Sequence, residues 1–219
     1  MAKLSLATVT LDDLAALCRL ESRDLDTRAW ESDATPLDAE AGAQLRYLAA
    51  KLSATRATTL NEATIWARAI YPLLELAETE HVRAWAEVPL AARDPFSGAE
   101  LSGVVDGVLA REGVLAGAPG RPYLLVVEAK RGMDGVDPRP QLLGAILAVL
   151  WGELAGRADG AAAVTHGCFT VGDIWTFVRA EGKASAGALG VTLSWSREFA
   201  ERSEAEVILR ALRAIARGG

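Results

Sequence analysis

The chain has 219 residues, 51% hydrophobic and 24% charged, which is enough apolar material for one globular domain, or one domain with an added helical segment. Its formal net charge of −6 resides between Asp12 and Glu40, where nine acids accompany three arginines, so the remainder is balanced. That excludes the broad basic excess of a tight non-specific nucleic-acid binder while leaving room for a local basic groove. Cys18 and Cys168 are too far apart for a metal-ligand spacing and too few for a disulfide framework, so both are read as reduced thiols.

In chain order, Asp12 and Asp13 interrupt the apolar start MAKLSLATVTLDD, which reads against a signal peptide. Thr10 is a suitable N-cap for a helix over 10–26. A turn near Thr35-Pro36 leads into a second helix over 38–53. A third, over 58–80, buries Ile65, Ala69, Leu73 and Leu76, with Pro72 kinking or dividing it. Strands are predicted at 82–92, 101–112 and 123–130, with GVLAGAPGRP as a loose connection before the last. The segment MDGVDPRP is a loop, and Pro140 suits the first turn of the helix that follows. Its apolar run LLGAILAVLWG (142–152) is far too short to span a membrane, so a cytoplasmic protein with no membrane attachment is expected. Residues 159–182 read as two strands about a glycine-containing turn. A short strand, GVTLSWS, and an amphipathic helix over 199–217 complete the chain. Low aromatic content (6%) and abundant Ala and Leu favour a helix-rich α/β fold over an all-β sandwich. Helices on either side of the strands can cover both faces of a mixed central sheet.

Three residues stand out chemically. Asp106 is a lone acid amid apolar residues in GVVDGVL, and YLLVVEAKRG ends an apolar strand with Glu128 and Lys130 on one face. Two carboxylates on neighbouring strands repel each other and resist burial. A hard divalent cation, held by a few carboxylates with water or phosphate oxygens completing the shell, relieves both penalties. Lysine is also scarce: four lysines (3, 51, 130 and 183) against nineteen arginines, so its use at position 130 is selective.

The ordered pattern GVVD, VVEAK and a helix opening with Gln141 resembles the PD-(D/E)XK nuclease superfamily, over roughly residues 58–182. No proline precedes Asp106, a departure common in that superfamily. The resemblance implies a restriction-endonuclease-like core, with a central mixed sheet flanked by helices in αβββαβ order over 58–219. An acidic N-terminal helical segment, 1–57, would pack on it. It implies Mg²⁺ (or Mn²⁺) held by Asp106, Glu128, the carbonyl of Ala129 and Glu62, with Lys130 orienting water or phosphate and Gln141 positioning water or backbone. The implied activity is phosphodiester hydrolysis in DNA, in restriction or phage defence, with Arg121, Arg131 and Arg139 meeting the phosphate backbone.

Other readings accompany each residue. Glu128 and Lys130 also fit a solvated strand end, Glu62 an exposed first-turn glutamate with Glu75 and Glu78 as rivals, and Gln141 a helix cap. The second E-x-K, Glu181-Gly182-Lys183, reads as a turn. His81 and His166 read as a surface and a turn histidine, and Trp66, Trp85, Trp151, Trp175 and Trp195 as packing. The functional alternatives are a catalytically idle binding or regulatory module on the same fold, and a subunit that cleaves when a partner delivers nucleic acid. A homodimer, or a protein partner met by the acidic segment, are the assemblies left open.

Overall fold

The computed structural model describes residues 2–24, 30–31, 36–54, 60–114, 117–131, 136–185 and 187–218, the Pro122 side chain excepted. Asp26, Asp33, Thr35, Thr58 and residues 133–135 of the expected loop lie outside them. The described residues form an α/β fold with a mixed sheet of eight strands. The strands are β1 (Lys3–Ser5), β2 (Arg19–Asp24), β3 (Val82–Arg93), β4 (Glu100–Glu112), β5 (Pro119–Lys130), β6 (Ala162–Val171), β7 (Ile174–Ser185) and β8 (Ala188–Ala200). The helices are α1 (Leu11–Leu17), α2 (Ala39–Ser53), α3 (Glu62–Ile65), α4 (Tyr71–Leu76), α5 (Arg139–Leu154) and α6 (Glu201–Arg217), with a π-helical turn over Trp66–Ile70 between α3 and α4. None of the described helices is long and apolar enough to cross a membrane.

The expected helix over 10–26 ends early. Thr10 and Asp13 form a reciprocal capping box, but the helix stops at Leu17, and Arg19–Asp24 becomes a strand parallel to β8. Seven residues sustain α1 because Leu14 is buried against the core, while 19–24 gains a full ladder along β8. The expected helix over 58–80 is divided as anticipated, with Pro72 in the first turn of α4. Glu181-Gly182-Lys183 is not a turn but part of β7. A Cβ on Gly182 would lie 3.1 Å from Leu150 of α5, so the glycine marks a close helix–strand approach. His166 likewise sits within β6, edge-on to Trp30, and burial lowers its pKa to about 4.

Strands β3 and β4 form a long hairpin that bends at Glu87 and Asp106. Before the bend, Val82 and Ala84 enter the core beneath α4 and α6; after it, Val88 and Leu90 join the opposite core around α5. The two strands β3 and β5 run parallel, so Ala91 and Arg121 would lie at opposite ends of a flat sheet. The bend instead brings Arg121 Nη2 to 3.2 Å from the Ala91 carbonyl. Helix α5 is thereby enclosed between the sheet and the folded-back hairpin. That enclosure is why every residue from Leu142 to Trp151 is buried and the helix is apolar all round.

Candidate functional site

On one edge β4 pairs with β3 from Glu100 to Val105 and again from Gly107 to Arg111. On its other edge β1 pairs with Glu100–Ser102, and β5 pairs from Glu112 to Gly107. Residues 103–106 therefore face a gap between β1 and β5, where β4 and β5 splay apart. Beyond the Gly107–Val127 pair, the Asp106 side chain takes over the role of the missing strand: its Oδ2 accepts the Ala129 N–H at 2.7 Å. The carbonyl of Ala129 points to the same edge of β5 as its N–H, toward this gap.

Glu128 is 1% exposed, and its Oε1 accepts a hydrogen bond from Lys130 Nζ at 2.5 Å. Burial and the neighbouring Asp106 carboxylate push Glu128 up to about 7, against the pull of Lys130; Glu62 adds to the upward push. Burial also raises Asp106, while the Ala129 N–H and Lys130 oppose the rise. The Lys130 ammonium is disfavoured by burial, but the Glu128 hydrogen bond and the charges of Glu128, Glu62 and Asp106 outweigh it and raise its pKa. The solvated strand end considered from sequence does not describe this geometry: Lys130 is 16% exposed at its side chain and Glu128 is in the interior.

Helix α3 brings Glu62 into the same electrostatic group. Asn61 caps it by accepting the Thr64 N–H at 2.8 Å, and one turn after Glu62 the Trp66 indole packs its benzo edge against Gly107. From α3 the Glu62 charge is felt at both Glu128 and Lys130, raising the pKa of each. A Cβ on Gly107 would come within 2.5 Å of the ring. Gly107→Ala is therefore expected to lose about 1–3 kcal/mol in denaturant unfolding and to displace Glu62 with the indole. The rivals of Glu62 are placed elsewhere: Glu78 accepts the Ala84 N–H at 2.9 Å, and Glu75 is exposed on α4.

Gln141 is partly buried in the first turn of α5, and Arg131 follows Lys130 directly. Arg139 also opens α5, but its charge is engaged by a bidentate pairing with Asp137. Arg121 is not brought to the site. It lies seven residues before Glu128, about 23 Å along the strand, where it bridges to β3 and stacks its guanidinium over Tyr123 at 5.6 Å.

Position 87 was not legible in the sequence. Pairs Ala86–Gly107 and Val88–Val105 set Glu87 directly across from Asp106, and its charge raises the Asp106 pKa further. A glutamate in an alternating strand carries no signal of its own; the lone acid opposite Asp106 becomes visible once the hairpin register is known.

Among the described residues no three His, Cys, Asp or Glu side chains come together in a group that could hold a metal ion. The donors present are instead one buried carboxylate, Glu128, one half-buried carboxylate, Asp106, and a backbone carbonyl. This set fits Mg²⁺ or Mn²⁺, which are held through one or two carboxylates with water filling the other positions. No protein-family model matches this sequence, and no curated protein matches it.

Proposed function

We propose that the chain is a Mg²⁺- or Mn²⁺-dependent nuclease of the PD-(D/E)XK type, with a restriction-endonuclease-like core, that hydrolyses phosphodiester bonds of DNA. The observation that carries this reading is the meeting of Asp106, Glu128 and Lys130 at the splayed end of β4 and β5, within electrostatic reach of Glu62 on α3. Nothing in the folding of a strand end requires a buried carboxylate, Glu128, to sit against a half-buried one, Asp106, at a cost to both. A site that binds a cation does.

Asp106, Glu128 and the Ala129 carbonyl are the residues that would hold the cation. When bound, such a cation lowers the pKa of a coordinated water and neutralises charge developing on the phosphate. Lys130 holds its proton at Nζ throughout the neutral range, and so donates a hydrogen bond to the attacking water or a phosphate oxygen. Asp106 fixes the end of β5 through the Ala129 N–H, which sets the direction of both the Ala129 carbonyl and the Glu128 and Lys130 side chains. Gln141 positions water or backbone from α5, and Arg131 extends positive charge beyond the end of β5 toward the DNA backbone.

The test is incubation with supercoiled, linear and single-stranded DNA in Mg²⁺, Mn²⁺ or EDTA. Cleavage in either metal, abolished by EDTA, is the expected result. Intact substrates under every condition would favour a catalytically idle module on this fold.

A further inference from the structure

We propose that the groove between α2 and α6 is a binding site for a phosphate ester with an apolar body, its phosphoryl oxygens held by Arg46, Arg202 and Arg210. The inference goes beyond the nuclease reading and uses none of the residues around Asp106 and Glu128.

Three observations converge on the groove. The first is its shape. Helices α2 and α6 pack against each other over the core that holds Trp175 and Phe199, and the furrow between them has a volume of about 630 Å³. That lies within the range of small-molecule sites, roughly 300–1,000 Å³. Its floor is apolar, with Leu45 and Ala49 from α2 and Ala205 from α6, and suits the body of an organic ligand.

The second is charge. Arg46, Arg202 and Arg210 line the groove together with Asp38 and Glu206. Both acids are already engaged, Asp38 by Arg213 at 3.8 Å and Glu206 by Arg210 at 2.5 Å. Arg202 gives Nε and Nη2 to Asp173, which does not line the groove. Arg46 makes no hydrogen bond or ion pair among the described residues, so its charge is left over. The third is an unsatisfied donor. Arg210 Nε is buried with no acceptor among the described residues, and a buried N–H of a charged group is costly to leave unpaired. A solvated helix face accounts for Arg46 alone; it does not account for the orphaned Nε. An anion seated in the groove supplies the missing acceptor and the missing counter-charge. Three guanidiniums reaching one groove from two helices ask for more oxygens than the two of a carboxylate, and a phosphoryl group offers three.

The experiment is calorimetry of the full chain in EDTA, which keeps metal-bridged binding out of the measurement. The probes are inorganic phosphate, deoxyadenosine monophosphate and a 5′-phosphorylated oligonucleotide. Wild type is expected to bind the mononucleotide more tightly than inorganic phosphate, and Arg46→Ala to bind it about tenfold more weakly. Arg46→Ala should melt with wild type, because Arg46 holds nothing else in the fold, and Asp106→Asn should bind as wild type does. Oligonucleotide binding as tight as the mononucleotide's identifies a strand end as the ligand, and weaker binding a free nucleotide; both support the site. No binding of any probe by wild type, or full affinity in Arg46→Ala, overturns it. So does equal affinity for inorganic phosphate and the mononucleotide, which removes the apolar body. None of these outcomes bears on the nuclease reading, whose test is cleavage.

Discussion

Asp106→Asn is expected to reduce DNA cleavage about a thousandfold or more while the protein stays folded. Asparagine keeps an oxygen for the Ala129 N–H, so the end of β5 remains held. What disappears is the half-buried negative charge beside Glu128, and with it the affinity and electrostatic stabilisation the proposed site would supply to a phosphate. Because burial and Coulomb repulsion already raise Asp106 and Glu128, neutralising one relieves the other, and the melting temperature holds or increases. Loss of activity without loss of stability separates a functional carboxylate from a structural one. Lys130→Ala abolishes cleavage too, but it leaves Glu128 buried with no ammonium partner, a change that costs on the order of 3 kcal/mol where a buried pair is broken. Its activity is therefore interpretable only alongside an unfolding curve.

The second large effect concerns stability and lies away from Asp106 and Glu128. Glu201, the first residue of α6, is 0% exposed; its Oε2 accepts the Trp175 indole N–H at 2.9 Å, while Oε1 has no partner among the described residues. Burial pushes Glu201 up to about 7 from an ordinary 4.5, against the opposing Trp175 hydrogen bond; the nearby Asp173 charge pushes it further upward. The folded protein thus retains a proton that the unfolded chain releases. Stability contributed by the protonated group is fully present below pH 4.5 and is lost as pH rises through 7. At about 1.4 kcal/mol per pKa unit, the loss is about 3 kcal/mol. Glu201→Gln keeps an acceptor for Trp175 and carries no charge. It should match wild type in urea unfolding at pH 4 and exceed it by about 3 kcal/mol at pH 8. An equal difference at the two pH values would show that Glu201 does not titrate in this range.

The parts legible in the sequence were those governed by local pattern. The N-cap of Thr10, the second helix starting near 38 and the division of the third helix near Pro72 follow from neighbouring residues alone. The order Asp106, Glu128, Lys130 was readable because each acid or base breaks an apolar run. What the sequence concealed depends on distant partners. Strands β1 and β2 are short and polar, and exist because β4 and β8 offer them parallel ladders. Val82, Ala84, Val88 and Leu90 look like one face of one strand, yet the bend at Glu87 sends them to two cores. Arg121 was grouped with the site by its nearness in sequence; a strand converts seven residues into a long separation.

The most direct measurement is metal-dependent nicking of supercoiled DNA by wild type and Asp106→Asn, prepared together and matched in melting temperature. Nicking by wild type in Mg²⁺ or Mn²⁺, stopped by EDTA and lost in the variant, is the result this account predicts. Equal nicking by the two proteins would contradict it.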